Sequence, residues 1–300
     1  MGTMPARDST PIAWSVVIPT FNRPAALAAC LDAIAAQDYP RDRIEVVVVD
    51  DGGNADLSGV VSRASARIAI RATRQANAGP GQARNTGVAL ARHDAIAFTD
   101  DDCRPRPDWL RRLAGVLEKD GRVAVGGRAE NACPGNLFAA ASQTIIDVVH
   151  AHFNRDHERA QFCPTNNLAL RKDQFLELGG FDPAFRCSED RDFCDRWITR
   201  GWRLVFAPEA VVAHARPMTL GGFCAQHFGY GQGAWRFHQA RKRRGHGGVP
   251  AEGRFYVRCF GQPFGTLPPG RAVAMGGALL AWQLANTAGF AYEAVRSSGR

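Results

Sequence analysis

Residues 44–53 read IEVVVVDDGG, and the fold turns on them. Ile44 to Val49 is a short β-branched run, the pattern of a parallel strand buried on both faces, and it ends in two carboxylates and two glycines. A matching run, WSVVI, stands at 14–18, and AIAF at 95–98. A further strand is expected at 67–70. Helical spacing of alanines and leucines predicts a helix over 24–37 and another from about 80 to 92. Strand–helix–strand alternation of this kind predicts a doubly wound, mostly parallel α/β sheet whose ligands sit at the C-terminal ends of the strands. The polar residues directly after each strand are therefore the candidates for chemistry.

Downstream, helices are expected at 108–120, 136–152, 172–178 and about 189–201, with strands at 122–127 and 203–206 and an extended segment at 166–170. After Pro217 the character changes. Residues 219–235 are rich in glycine and aromatics, and 236–244, RFHQARKRR, are strongly basic. The expected division is an N-terminal tail over 1–13, a catalytic domain over 14–235 and a helical, basic and apolar extension over 236–300. Within that extension, 272–292 (AVAMGGALLAWQLANTAGFAY) is long enough to cross a bilayer. Gln283, Asn286 and the glycines dilute it, so a buried or surface-associated helix is the favoured reading.

A chain of 300 residues with 45% hydrophobic content can bury a sizeable core, which excludes a disordered segment. The net charge of +8 suits a polyanion, an anionic membrane surface or a nucleotide diphosphate. Eight cysteines without a CxxC pair argue against structural zinc and for a reducing compartment. The opening stretch MGTMPARDSTPIAW holds no apolar signal region, so a cytoplasmic enzyme, at the inner face of the cell membrane if it meets a membrane, is expected.

The sharpest feature is Phe98-Thr99-Asp100-Asp101-Asp102, an acidic triplet closing an apolar strand. Adjacent carboxylates repel one another, and a divalent cation, Mn or Mg, relieves that cost through oxygen ligands. A solvated acidic turn is the plain alternative. Against it, Asp50-Asp51 closes a second strand and Pro19-Thr20-Phe21-Asn22-Arg23 a third, all at one edge of the expected sheet. Asn77 to Asn85, NAGPGQARN, reads as a glycine-rich helix entry in which amide N–H groups and Arg84 help hold a nucleotide.

Taken together, VVIPTFNRP, VVVVDDGG, NAGPGQARNTGVALA and FTDDDC resemble glycosyltransferase family 2 enzymes of the GT-A fold, over about residues 14–216. The resemblance implies an inverting transferase using a nucleotide-sugar donor, a UDP-sugar by default, and a glycan or lipid-linked acceptor. It implies nucleotide contacts from Pro19, Thr20, Asp50, Asp51, Arg84, Asp100 and Asp101. The metal falls to Asp102, Asp100 and His214, with Asp102 the leading ligand. The acceptor-activating base falls to Asp190, ahead of its neighbour Glu189, and Asn166 and Asn167 are expected to meet sugar hydroxyls. The run Gly229 to Gly233, followed by Arg236, is read as a flap closing over the diphosphate.

Other readings are weaker. A silent sugar-nucleotide-binding module would have no need of both the triplet and the Glu189-Asp190 pair. A processive polysaccharide synthase would bring several membrane helices and a QxxRW motif, whereas Phe193 stands where the Gln would be. A nucleic-acid partner is not expected, because no recognition motif accompanies RKRR at 241–244.

Overall fold

The computed structural model describes residues 10–118, 121–247 and 253–298. The expected N-terminal tail lies outside them as far as residue 9. The strands are β1 Trp14–Thr20, β2 Ile44–Asp50, β3 Ala69–Arg74, β4 Ala95–Thr99, β5 Cys103–Pro105, β6 Val123–Asn131, β7 Asn167–Arg171 and β8 Arg203–His214. The helices are α1 Pro24–Ala35, α2 Ser58–Ser65, α3 Pro80–Leu90, α4 Trp109–Leu117, α5 Leu137–Phe153, α6 Lys172–Glu177, α7 Glu189–Thr199, α8 Leu220–Arg243, α9 Gly253–Thr266 and α10 Pro269–Ser298.

All eight strands join one sheet in the order β3-β2-β1-β4-β7-β6-β8-β5. The first four are parallel neighbours, β7 runs against both β4 and β6, and β6 and β8 are again parallel. Period-two alternation divides the core. Val16, Ile18, Val46 and Val48 pack with Leu27, Leu31 and Trp109 on one face. On the other, Val17, Val47 and Val49 pack with Ala83, Val88 and the aromatic group of Phe98, Phe175, Phe181 and Phe193. That is the doubly wound sheet expected from IEVVVV. A third cluster, including Phe223, Leu279 and Trp282, binds the C-terminal helices to α5.

Several boundaries differ from the sequence expectation. The strand expected at 67–70 begins at Ala69. The strand expected at 203–206 continues to His214, and β6 extends to Asn131. Pro208, which lacks an N–H, and Glu209 conceal the continuation in sequence, and the ladder absorbs them with a register shift between Gly127 and Arg128. The glycine-rich run 229–233 is no flap: it lies inside α8, an unbroken helix of 24 residues, and so does the boundary expected at 235. Its glycines serve close packing. A Cβ on Gly231 would run into the carbonyl oxygen of Asn286 on α10, and one on Gly233 would meet Ser188 and the Cys187 carbonyl.

Candidate active site

β1, β2 and β4 end together at one edge. Thr20 is in register with Asp50, and the Asp51 N–H donates to the Thr20 carbonyl at 2.9 Å. The crevice they open on is a cleft of about 2040 Å³, lined on this side by Pro19, Thr20, Asp51, Arg84 and Asp100 and on the other by Glu189 and Asp190.

The two carboxylates after β2 are both engaged. Asp50 turns away from the cleft and accepts the Gly53 N–H at 2.8 Å. Asp51 accepts from Gln75 Nε2 at 2.7 Å and from the backbone N–H of Ala78 and Gly79 at 2.9 and 2.8 Å. It therefore fixes the loop that enters α3. Gly79 takes φ +92°, where a Cβ would be strained. Two of the amides expected to face a ligand at this helix entry are thus held by Asp51 instead.

The triplet divides into three environments. Asp101 is fully buried, accepting the Thr20 hydroxyl at 2.7 Å and pairing with Arg23 at 2.6 Å. Burial outweighs those partners and pushes its carboxyl up to about 6. Asp102 pairs with Arg23 at 2.5 Å and with His214 Nε2 at 3.3 Å. Burial opposes ionisation there too, but the His214 hydrogen bond and charge, with Arg23, hold Asp102 well below the usual carboxylate range. For His214, burial favours the neutral ring, yet the bond and charge of Asp102 raise it. Asp100 alone reaches the cleft, its carboxylate accepting from Arg84 at 2.6 Å.

Asp102, His214 and Cys103 each bring one ligand atom within 4.8 Å of the others. β8 holds the group together, since His214 is in register with Cys103 and the Ala215 N–H donates to the Asp102 carbonyl at 2.8 Å. Burial pushes the Cys103 thiol well up, and a hard cation such as manganese or magnesium favours oxygen donors over a soft thiol. A carboxylate and an imidazole remain, a donor pair that fits manganese better than magnesium, with Arg23 as the counter-charge of Asp102 in this structure. Arg23 was missed as a site residue from sequence. Its signal was its place in PTFNR, a cation just after the strand next to the one that ends in the acidic triplet.

Arg84, expected as a nucleotide contact, lines the cleft and is also held by two carboxylates. It is buried, and its guanidinium donates to Glu189 Oε1 at 2.7 Å and to Asp100 Oδ1 at 2.6 Å. It thus clamps the triplet to the acidic pair at the start of α7 while still bordering the cleft. Burial pushes Glu189 up to about 7 despite Arg84, and it raises Asp190 as well. Asp190 accepts the Arg191 N–H at 2.8 Å and makes no ion pair among the described residues. The pair follows Ser188, held in the left-handed region at φ +63°, a conformation that costs a non-glycine residue and points to a fixed turn.

Asn166 lines the cleft, and its Oδ1 has no hydrogen-bond partner. Asn167 does not line it. Its amide is fully buried, accepting from Trp109 Nε1 at 2.8 Å and donating to the carbonyls of Ala210 and Arg128 at 2.8 and 3.1 Å. It is a bridge between β7, α4 and β8, not a sugar ligand.

An α/β sheet of this order, with acidic strand ends at the same cleft as an acidic helix start, has the architecture of the GT-A fold. The chain matches the model of Glycosyl transferase family 2 over residues 15–178, and it belongs to that family as a glycosyltransferase. Among curated relatives, glycosyltransferase AglE of Haloferax volcanii is 28% identical over 237 residues, 77% of this chain and 76% of that protein. The pre-mycofactocin glycosyltransferase of Mycobacterium tuberculosis is 28% identical over 225 residues, 73% of this chain but only 46% of its own length. Among solved structures, the Pyrobaculum calidifontis mannosyltransferase PcManGT, in complex with GDP-Man and Mn2+, superposes with a TM-score of 0.61 at 21% identity, over 97% of this chain and 82% of that one. TarS of S. aureus in complex with UDP-GlcNAc gives 0.60 at 16% identity, over 91% and 81%. These likenesses establish the GT-A fold.

Proposed function

We propose that this chain transfers one sugar from a nucleoside-diphosphate donor, a UDP-sugar in the first instance, to a hydroxyl of a glycan or lipid-linked acceptor, by single displacement with inversion. The observation that carries the reading is the Arg84 clamp. It ties Asp100 at the end of β4 to Glu189 at the start of α7 and leaves Asp190, among the described residues, as a carboxylate of the same cleft without an ion pair. A base so held accepts the acceptor's hydroxyl proton as that oxygen bonds to the anomeric carbon. The bond from the anomeric carbon to the diphosphate breaks on the opposite side, and the nucleoside diphosphate leaves with its electron pair. Pro19, Thr20 and Asp51, which line the cleft together with Asp100, would border the nucleoside. Asp102 and His214 would hold a divalent metal, which supplies positive charge against the departing diphosphate. Asn166 borders the cleft with a buried, unpartnered amide oxygen, which would answer a sugar hydroxyl that reached it.

The test is release of nucleoside diphosphate from a panel of sugar nucleotides with manganese or magnesium, in the natural chain and in Asp102→Ala and Asp190→Asn. Turnover of one donor, lost on chelation and in both variants, is expected. A chain that binds a donor but never releases diphosphate, with any acceptor supplied, would sink the reading in favour of a binding module.

A further inference from the structure

The charge of this chain is concentrated at one end. Residues 210–300 hold eleven Arg and Lys against two glutamates, whereas residues 1–209 carry a slight acidic excess. Three of those arginines are already in ion pairs, Arg236 with buried Glu293 at 3.0 Å and Arg241 and Arg244 with Asp195 and Asp192 of α7, so the positive excess rests on the others, Arg254, Arg258, Arg271 and Arg296 of α9 and α10 among them. The same region presents an apolar surface. The buried side of α10 runs through Met275, Leu279, Trp282 and Gly289. On the opposite side Val273, Leu280, Leu284 and Val295 are 67, 54, 62 and 76% exposed. Glu293 is the only charged residue between Arg271 and Arg296, so this exposed face carries none over about 35 Å of helix at 1.5 Å per residue. On α9, Val257 and Phe264 are exposed as well, alongside Arg254 and Arg258. Water-facing helices ordinarily carry their charges on the outer side, and an uncharged outer face of this length marks a contact surface.

We propose that α9 and α10 dock this chain on an anionic bilayer surface. α10 lies in the plane of the interface, its Val273, Leu280, Leu284 and Val295 reaching the acyl boundary and the arginines at its ends meeting lipid phosphates. None of the described helices is long and apolar enough to cross a membrane, so the helix lies on the bilayer without spanning it. Charge argues for lipid over a second copy, because pairing this face with itself would bring two strongly basic regions together. The docking surface stands independently of the proposed reaction, but it bears on acceptor delivery. Phe255, Tyr256, Trp282 and Asn286 of the same two helices wall the cleft that reaches Asp190, so an acceptor held in the bilayer would meet the cleft at this wall.

The test is flotation of the full chain with phosphatidylcholine vesicles, with and without phosphatidylglycerol, at low and high salt. Binding about tenfold stronger to the anionic vesicles and weakened by salt is expected. Leu280→Glu with Leu284→Glu should remove binding to both compositions, and Arg258→Glu with Arg271→Glu should remove the anionic preference alone. Circular dichroism melts establish that each variant is folded. Three results would overturn the proposal: no vesicle binding, equal binding to both compositions, or undiminished binding by the folded leucine variant. A concentration-dependent dimer in sedimentation velocity that the leucine variant abolishes, without vesicle binding, would assign the face to a second copy instead.

Discussion

Arg84 on α3 donates to Glu189 at the start of α7 across 2.7 Å, joining residues 105 positions apart, and its second arm holds Asp100 at 2.6 Å. The clamp makes the position of Asp190 depend on a residue that touches neither proton nor leaving group in the proposed reaction. Arg84→Met would leave Glu189 buried without a counter-charge, and breaking a buried pair in this way costs about 3–5 kcal/mol. Arg84→Lys keeps the charge but cannot fork to two carboxylates. The expected outcome is a large fall in urea midpoint for the methionine variant. The lysine variant should keep most of its stability while losing turnover. Equal turnover in the natural chain and the lysine variant would show that the fork is dispensable.

The acid limb of the pH–rate profile should report the Glu189-Asp190 pair as a unit. Burial raises both carboxyls, Glu189 to about 7. A base must be deprotonated to work, so kcat/KM should rise with pH through a limb lying above the ordinary carboxylate range. Glu189→Gln removes a like charge and releases Arg84 toward Asp190, and both effects lower the pKa of the base. The limb should therefore move to lower pH in that variant. Asp190→Asn should lose about 10²–10⁴-fold at every pH. A limb unmoved by Glu189→Gln would mean that the group titrating lies elsewhere.

His150 gives a separate pH signature in stability. Its ring stacks on Phe206 at 4.5 Å between centroids, its Nε2 has no partner, and burial pulls its pKa down to about 4. Unfolded, the same ring protonates near its ordinary value. Its contribution is therefore fully present above about pH 6.5 and is lost as pH falls toward 4, to a total of about 3 kcal/mol. Asp101 and Glu189, with raised carboxyls, act with the opposite sign, so the readout is a difference. Between pH 7 and 5 the urea midpoint of His150→Phe should fall less than that of the natural chain. Parallel curves would show that the ring is protonated in the folded state.

The strands and the acidic edge were legible because β-branched runs ending in carboxylates encode them locally. IEVVVVDDGG states both a doubly buried strand and what stands at its end. The partners of those carboxylates were not legible. Arg84 at a glycine-rich helix entry reads as a phosphate ligand, and only the folded chain brings Glu189 to it. Asn167 shared a motif with Asn166, yet Asn166 closes the turn before β7 while Asn167 opens the strand, where it is absorbed by Trp109 and two carbonyls. The C-terminal helices were expected, but the run Gly229 to Gly233 at their start was read as a flap, because glycine carries two meanings. In a loop it supplies freedom, and in α8 it supplies closeness.

That second meaning gives a pair of variants with separable effects. Gly231 lets α8 approach α10, and an alanine there would drive its Cβ into the Asn286 carbonyl. Overpacking of this kind costs about 1–3 kcal/mol. Gly231→Ala should loosen α10 while leaving donor hydrolysis near its natural rate, since the β1, β2 and β4 edge makes no use of that contact. Gly233 faces the other way, toward the Cys187 carbonyl and the Ser188 side chain at 2.6 and 2.5 Å from its ideal Cβ. An alanine at this position presses on the left-handed turn that aims Asp190. Gly233→Ala should therefore lower turnover with little change in donor affinity, measured by comparing hydrolysis rates with nucleotide binding in the presence of manganese. If Gly231→Ala lowered the turnover rate as much as Gly233→Ala does, the C-terminal helices would act on the site as one body, and the turn at Ser188 would not be the route.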